Sequence, residues 1–224
     1  MKRLILIAVS LSASLILSGQ PEFPTGSPLF PVIANWHELS VDPQHAEAMR
    51  AVDQPKDQPF RFAIPVEVSL TPSNSGFIAT RGSETIWVLP LSSKGALSLN
   101  IILSPYNLPR GAYIYVYDHD RQTIRGAFTS GSTSATLSMP VMPVPGERLV
   151  LECHFPGTRI PENSVGVTQV AHDFIGFFGP EGIKDYYYGR SGECEIDISC
   201  SSNPLYLTAP RSVVRLLVAG TELC

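Results

Sequence analysis

The stretch RLVLECHF, Arg148 to Phe155, decides the fold. Leu149, Leu151, Cys153 and Phe155 fall at every second position, and a period of two puts them on one face of a β-strand. The same period runs through AYIYVY. There Ala112, Ile114 and Val116 face one side and Tyr113, Tyr115 and Tyr117 the other. It returns in ALSLNIIL, where Leu97, Leu99, Ile101 and Leu103 point one way. Such alternation marks half-buried strands. Turn signals divide them: Ser93-Lys94-Gly95, Pro109-Arg110-Gly111, Asp118-His119-Asp120 and Pro145-Gly146. Their spacing is close to the roughly 8 to 12 residues of a sandwich. No long stretch between them has helical periodicity. The reading is an all-β chain with an antiparallel β-sandwich over residues 61–179, a body large enough to bury a core without disulfides.

The composition agrees with a packed protein. Of 224 residues, 44% are hydrophobic and 16% charged, and 20 prolines and 17 glycines suit short strands joined by turns. A net charge of -4 gives no attraction to nucleic acid or to anionic lipid. The N-terminus reads as a secretory signal over residues 1–19. Lys2 and Arg3 precede the apolar run Leu4 to Leu17, and Ser18-Gly19 offers small residues for cleavage before Gln20. That run is short for a membrane span, which needs about 20 residues, so no stable membrane anchor is expected; an uncleaved N-terminal anchor is the alternative. The expected location is secreted, extracellular or periplasmic, where disulfides form. Residues 20–60 read as a proline-rich linker with one short helix, His45 to Val52.

Several motifs invite chemistry, each beside a plainer reading. The Ser-Gly pairs in SNSGF (Ser73 to Phe77) and TSGSTS (Thr129 to Ser134) resemble nucleophile turns, yet small polar residues between strands ordinarily make loops. Asp118, His119 and Asp120 could ligate calcium, but a hairpin turn explains them as well. Glu152 and His154 share a strand face. His172 and Asp173, being adjacent, would point to opposite faces and would not orient each other. Cys153 reads as a small buried thiol on the apolar face. No His or Cys cluster has metal-ligand spacing, and there is no phosphate or dinucleotide loop, so no metal and no cofactor is expected.

Three of the four cysteines lie in the final stretch. GRSGECEIDISC, Gly189 to Cys200, carries a pattern of Gly189, Ser191, Gly192, Cys194, Ile196, Asp197 and Cys200, and RSVVRLLVAGTELC adds Arg211, Ser212, Val213, Gly220 and Cys224. These residues resemble the start of the mature domain of secreted lysyl-endopeptidase-like serine proteases, which have the chymotrypsin-like fold; Glu195 stands where that family usually has Asn. Upstream, RFAIPVEVSL, LPRGAYIYVYDHD, PVPGERLVLE and VTQVAHDFIGF resemble the pro-region of the same precursors, in the same order.

The resemblance implies a precursor in which the sandwich is the pro-region. Residues 180–188 would be the processing linker, and residues 189–224 the first strands of a β-barrel truncated before its triad. It implies cleavage at Tyr188-Gly189 or after Lys184, and bridges from Cys194, Cys200 and Cys224 to cysteines farther on. The substrate would be a protein or peptide. The family's catalytic His, in Thr-Ala-X-His-Cys, and Ser, in Gly-X-Ser-Gly, have no counterpart in these residues, so no catalytic residue is assigned. The tail is expected to be poorly ordered, because its apolar strand Val213 to Val218 has no barrel to enter. Two other readings remain open. One is a secreted binding module using the Tyr113, Tyr115 and Tyr117 face. The other is a pro-domain acting in trans as a protease inhibitor.

Overall fold

The computed structural model describes residues 35–52, 54, 59–131, 138–176, 217–218 and 220–223. The expected signal peptide, Lys184, Tyr188, Gly189, Cys194, Cys200 and Cys224 lie outside the described residues. The chain enters with strand β1 (His37–Leu39) and helix α1 (Pro43–Ala51). Asp42 caps that helix by accepting the Gln44 N–H at 2.9 Å, and Pro43 stands at its first turn, where a missing N–H is harmless.

Strands follow in close succession: β2 (Phe60–Arg61), β3 (Ala63–Leu70), β4 (Phe77–Arg81), β5 (Glu84–Ser93), β6 (Ser98–Tyr106), β7 (Tyr113–Asp118) and β8 (Ile124–Thr129). Then come β9 (Met139–Pro140), β10 (Val144–Pro145), β11 (Arg148–Pro156), β12 (Val165–Asp173), β13 (Leu217–Val218) and β14 (Glu222–Leu223). The all-β reading holds. A six-stranded sheet has the order β1-β5-β11-β7-β8, with β4 also on β5. A five-stranded sheet has the order β10-β6-β12-β3, with β9 on β6. Among the described strands every pairing is antiparallel except β1 on β5.

One apolar cluster joins the two sheets. Leu89, Leu91, Ile114, Val116, Leu149, Leu151, Cys153 and Phe155 come from the first sheet, and Leu99, Ile101, Leu103, Val165, Val167 and Val170 from the second. The faces read from the period of two are therefore the faces that meet, with one exception. Leu97 lies just before β6 and is 41% exposed, because the chain is still turning there.

The strands of the first sheet are also more deeply buried than alternation suggests. Its outer face carries a second cluster of Ile86, Val88, Tyr115, Tyr117 and Val150. So β11 is buried on both faces along its length between Arg148 and Pro156, and the expectation of half-buried strands fails there. Tyr and Val alternating with Ile and Val can fill two apolar layers as readily as one.

The segment before β2 belongs to the same body. Leu39 and Ala46 are buried, and the Arg50 Nε donates to the Phe174 carbonyl at 2.7 Å. Of the tail strand expected over Val213 to Val218 with no barrel to enter, Leu217–Val218 falls among the described residues and pairs with β14, and β14 pairs in turn with β2. Trp87 is the largest fully buried side chain, and its Nε1 donates to the Ser75 carbonyl at 2.8 Å. Gly76 makes that approach possible. Its φ is +68°, and a Cβ there would meet the Val88 carbonyl oxygen at 2.2 Å. Trp87→Ala is expected to destabilise the fold by about 3–5 kcal/mol in urea denaturation, the range for emptying a large aromatic site.

Candidate functional site

Three buried polar places stand out. The first closes one end of the core. His172 on β12 is 3% exposed, and its Nδ1 lies 2.8 Å from Ser93 Oγ on β5, linking the two sheets. It lines a groove of about 570 Å³ whose other walls include Glu38, Leu39, Ala46, Arg50 and Lys94. A serine hydrogen-bonded to a histidine is the core of a nucleophile pair. Here it cannot act as one, because Ser93 is 1% exposed and does not line the groove. Burial pushes the His172 pKa below its usual 6.5. Glu147 opposes that shift and Arg50 adds to it, so the imidazole is held neutral.

As its position on the strand requires, Asp173 turns the other way. It accepts from Ser98 Oγ and, through Oδ1, from the N–H groups of Ile175 and Gly176 at 2.8 Å each. His172 and Asp173 do not orient each other.

The second place is the outer face of the first sheet. Glu152 is fully buried. It accepts from Tyr117 OH at 2.7 Å and lies 2.8 Å from His154 Nε2, one position-pair along the same face as the sequence implies. The Tyr113 ring stacks on the His154 imidazole at 4.3 Å. Burial, and then the Glu152 contacts, push the Tyr117 hydroxyl well above its usual range; burial and Glu84 push Tyr113 up to about 12. A buried carboxylate needs such donors. The cluster holds β11 to β7; Glu152 and His154 are closed to solvent. Of the tyrosine face, Tyr115 and Tyr117 are 5% and 1% exposed, and Tyr113 is partly exposed at the edge of the cluster.

The third place is the seat of the tail hairpin. The Thr221 carbonyl accepts two N–H groups, from Phe62 at 3.0 Å and Ala63 at 3.3 Å. The register pairs Glu222 with Arg61 and Leu223 with Phe60, and the Arg61 guanidinium reaches Glu222 Oε1 at 3.3 Å. The opposite edge of Arg61 is taken by the Gln54 side chain. Its amide oxygen accepts the Arg61 N–H at 2.7 Å and its amide nitrogen donates to the Arg61 carbonyl at 2.6 Å. Gly220 rests on the outer face of the second sheet over Asn100 and Gln169.

The remaining motifs, as far as they fall on described residues, make structural contacts. Ser75 Oγ donates to the Thr71 carbonyl at 2.9 Å in a turn, so SNSGF is not a nucleophile loop. Of TSGSTS, Ser132 to Ser134 lie outside the described residues. Asp118 Oδ1 accepts the Thr123 N–H at 2.6 Å and its carbonyl the Arg121 N–H at 3.0 Å, the hydrogen bonds of a hairpin turn. Cys153 is buried, and burial first, then Glu152, pushes its thiol pKa well up, so it is unreactive. The sequence reading placed Ser93 only in a turn signal and gave no role to Asn100, Phe62 or Thr221. Only Gly220, a glycine between an apolar strand and Thr-Glu, marked a turn. No family model matches the chain.

The neutral His172 carries a pH signature. Its folded pKa is lowered, so the unfolded state takes up the proton first as pH falls below about 6.5. Stability is then lost from that pH downward and is unaffected by this group above it. Unfolding free energies measured between pH 7.5 and pH 5 are expected to fall less steeply in His172→Asn than in the wild-type chain.

Proposed function

We propose that the chain is the N-terminal part of a secreted, lysyl-endopeptidase-like serine protease precursor. In this reading the two sheets form the sandwich of a pro-region, and residues 189–224 open the protease domain as the first strands of a chymotrypsin-like barrel. The single observation that carries the reading beyond its sequence motifs is the hairpin. Leu217–Leu223 lies inside the segment that resembles the mature domain, and it completes a three-stranded sheet with Phe60–Arg61 of the body.

That arrangement suits a pro-region. An isolated apolar hairpin exposes unpaired N–H and C=O groups and is marginal alone. Strand addition supplies the missing main-chain partners without demanding a particular side-chain sequence. The body would thus hold the opening strands of the protease in paired form until the rest of the barrel folds against them. Cleavage at Tyr188-Gly189 or Lys184-Asp185 would then leave the hairpin held, among the described residues, by this short sheet, its ion pair, the two hydrogen bonds to the Thr221 carbonyl and the seat of Gly220. An exposed pair such as Arg61–Glu222 adds little to that attachment, on the order of 0.2–1 kcal/mol.

In this reading the described residues bind and position, and they do not catalyse. The acyl-transfer groups belong to the later part of the barrel, with a protein or peptide as substrate. Sequencing the transcript across the Cys224 codon tests the proposal. The frame is expected to run on into a Thr-Ala-X-His-Cys stretch and later a Gly-X-Ser-Gly stretch. A stop codon immediately after Cys224 would sink it.

A further inference from the structure

The seat of the hairpin contains a flaw. Asn100 on β6 is 0% exposed, and neither its Oδ1 nor its Nδ2 has a hydrogen-bond partner among the described residues. Exchanging the two amide atoms changes nothing, since both are unpaired. The side chain points to the outer face of the second sheet, opposite Leu99 and Ile101, which enter the shared core. Gly220 lies directly over it. A Cβ on Gly220 would come within 2.7 Å of the Asn100 Nδ2 and 3.5 Å of the Gln169 Nε2. Gly220 also has a φ of +72°, a conformation that glycine adopts without strain.

The neighbours of Asn100 make the flaw conspicuous. Ser98, two residues back on the same face, donates to Asp173. Ala171, directly opposite on β12, packs with Phe62 and Ala63 in a small apolar cluster. A leucine-sized apolar residue at position 100 would match that cluster. The chain instead places an amide there and covers it. A buried amide without partners is destabilising, whereas the same amide in water is fully hydrogen-bonded.

We propose that Asn100 makes the docking of the Leu217–Leu223 hairpin reversible. When the hairpin is seated, the amide is stripped of partners; when it lifts, water satisfies both amide atoms. The unmade hydrogen bonds therefore oppose the contacts made by Thr221, Arg61 and the β2–β14 pairing, and they set the seat for release instead of permanent closure. The two N–H groups that Thr221 accepts, those of Phe62 and Ala63, report the seated state directly. The inference depends on the docked hairpin alone and stands whether or not a protease domain follows.

Native-state hydrogen exchange on the full chain tests it, with the Phe62 and Ala63 amides as reporters and β11 amides such as Leu151 as the global reference. Asn100→Leu is expected to slow exchange at Phe62 and Ala63 by roughly tenfold, the equivalent of one unmade hydrogen bond, with Leu151 changed far less. Asn100→Ala, which removes the amide without adding bulk, guards against a steric misfit of leucine and is expected to act in the same direction. Asn100→Asp, nearly the same shape but anionic, is expected to abolish protection at both reporters and to leave Leu151 protected. The proposal is overturned if neither apolar variant slows the two reporters, or if Asn100→Asp leaves them as protected as in the wild type.

Discussion

Burial of β11 on both faces is the constraint that the rest of the structure obeys. One face of this strand supplies Leu149, Leu151, Cys153 and Phe155 to the core between the sheets, and the other supplies Val150, Glu152 and His154 to a second buried layer. Its backbone is paired along both edges, with β5 from Arg148 to Pro156 and with β7 from Leu149 to His154. A strand enclosed in this way has no water to satisfy its polar side chains, so Glu152 must find the Tyr117 hydroxyl and His154 must find Glu152. The tyrosines of β7 are therefore structural partners. Their rings fill the outer layer and the Tyr117 hydroxyl satisfies the acid.

The five-stranded sheet answers a different need. Its inner face closes the core, and its outer face sets buried polar groups beside a small apolar cluster of Phe62, Ala63 and Ala171, partly covered by chain from far along the sequence. Ser98, Asn100 and Asp173 are all fully buried there. Asp173 accepts from Ser98, Ile175 and Gly176, and Asn100 has no hydrogen-bond partner among the described residues. The contrast separates what holds the fold together from what holds the hairpin. The Asp173 network ties β12 to β6 and fixes the exit of the chain at Ile175 and Gly176, while the Asn100 amide lies under the docked hairpin at Gly220.

Much of this was legible in the residues. The period of two in RLVLECHF and AYIYVY identified the inner faces, because the same apolar residues repeat at every second position whether or not the other face is buried. That indifference is also why double burial could not be read: Tyr, Glu and His look like a solvent face until a second layer covers them. The short helix read over His45 to Val52 lies at Pro43–Ala51, within two residues at each end. The separation of His172 from Asp173 followed from strand geometry alone. The pairing of Phe60–Arg61 with Glu222–Leu223 was illegible for a physical reason. Two-residue strands carry no periodicity, and their register depends on carbonyl and N–H positions that any side chains would allow. The Ser93–His172 link, between two sheets, is likewise invisible in a linear pattern.

The account turns on whether the hairpin near the end of the chain pairs with β2 of the body. Nuclear Overhauser spectroscopy of the uniformly labelled full chain tests this most directly. The antiparallel register requires close cross-strand backbone contacts between Arg61 and Glu222 and between Phe60 and Leu223. The account predicts those cross-peaks alongside the contacts of β11 with β5. A spectrum with the β11–β5 contacts intact and no contact between residues 60–63 and 220–223 would contradict it.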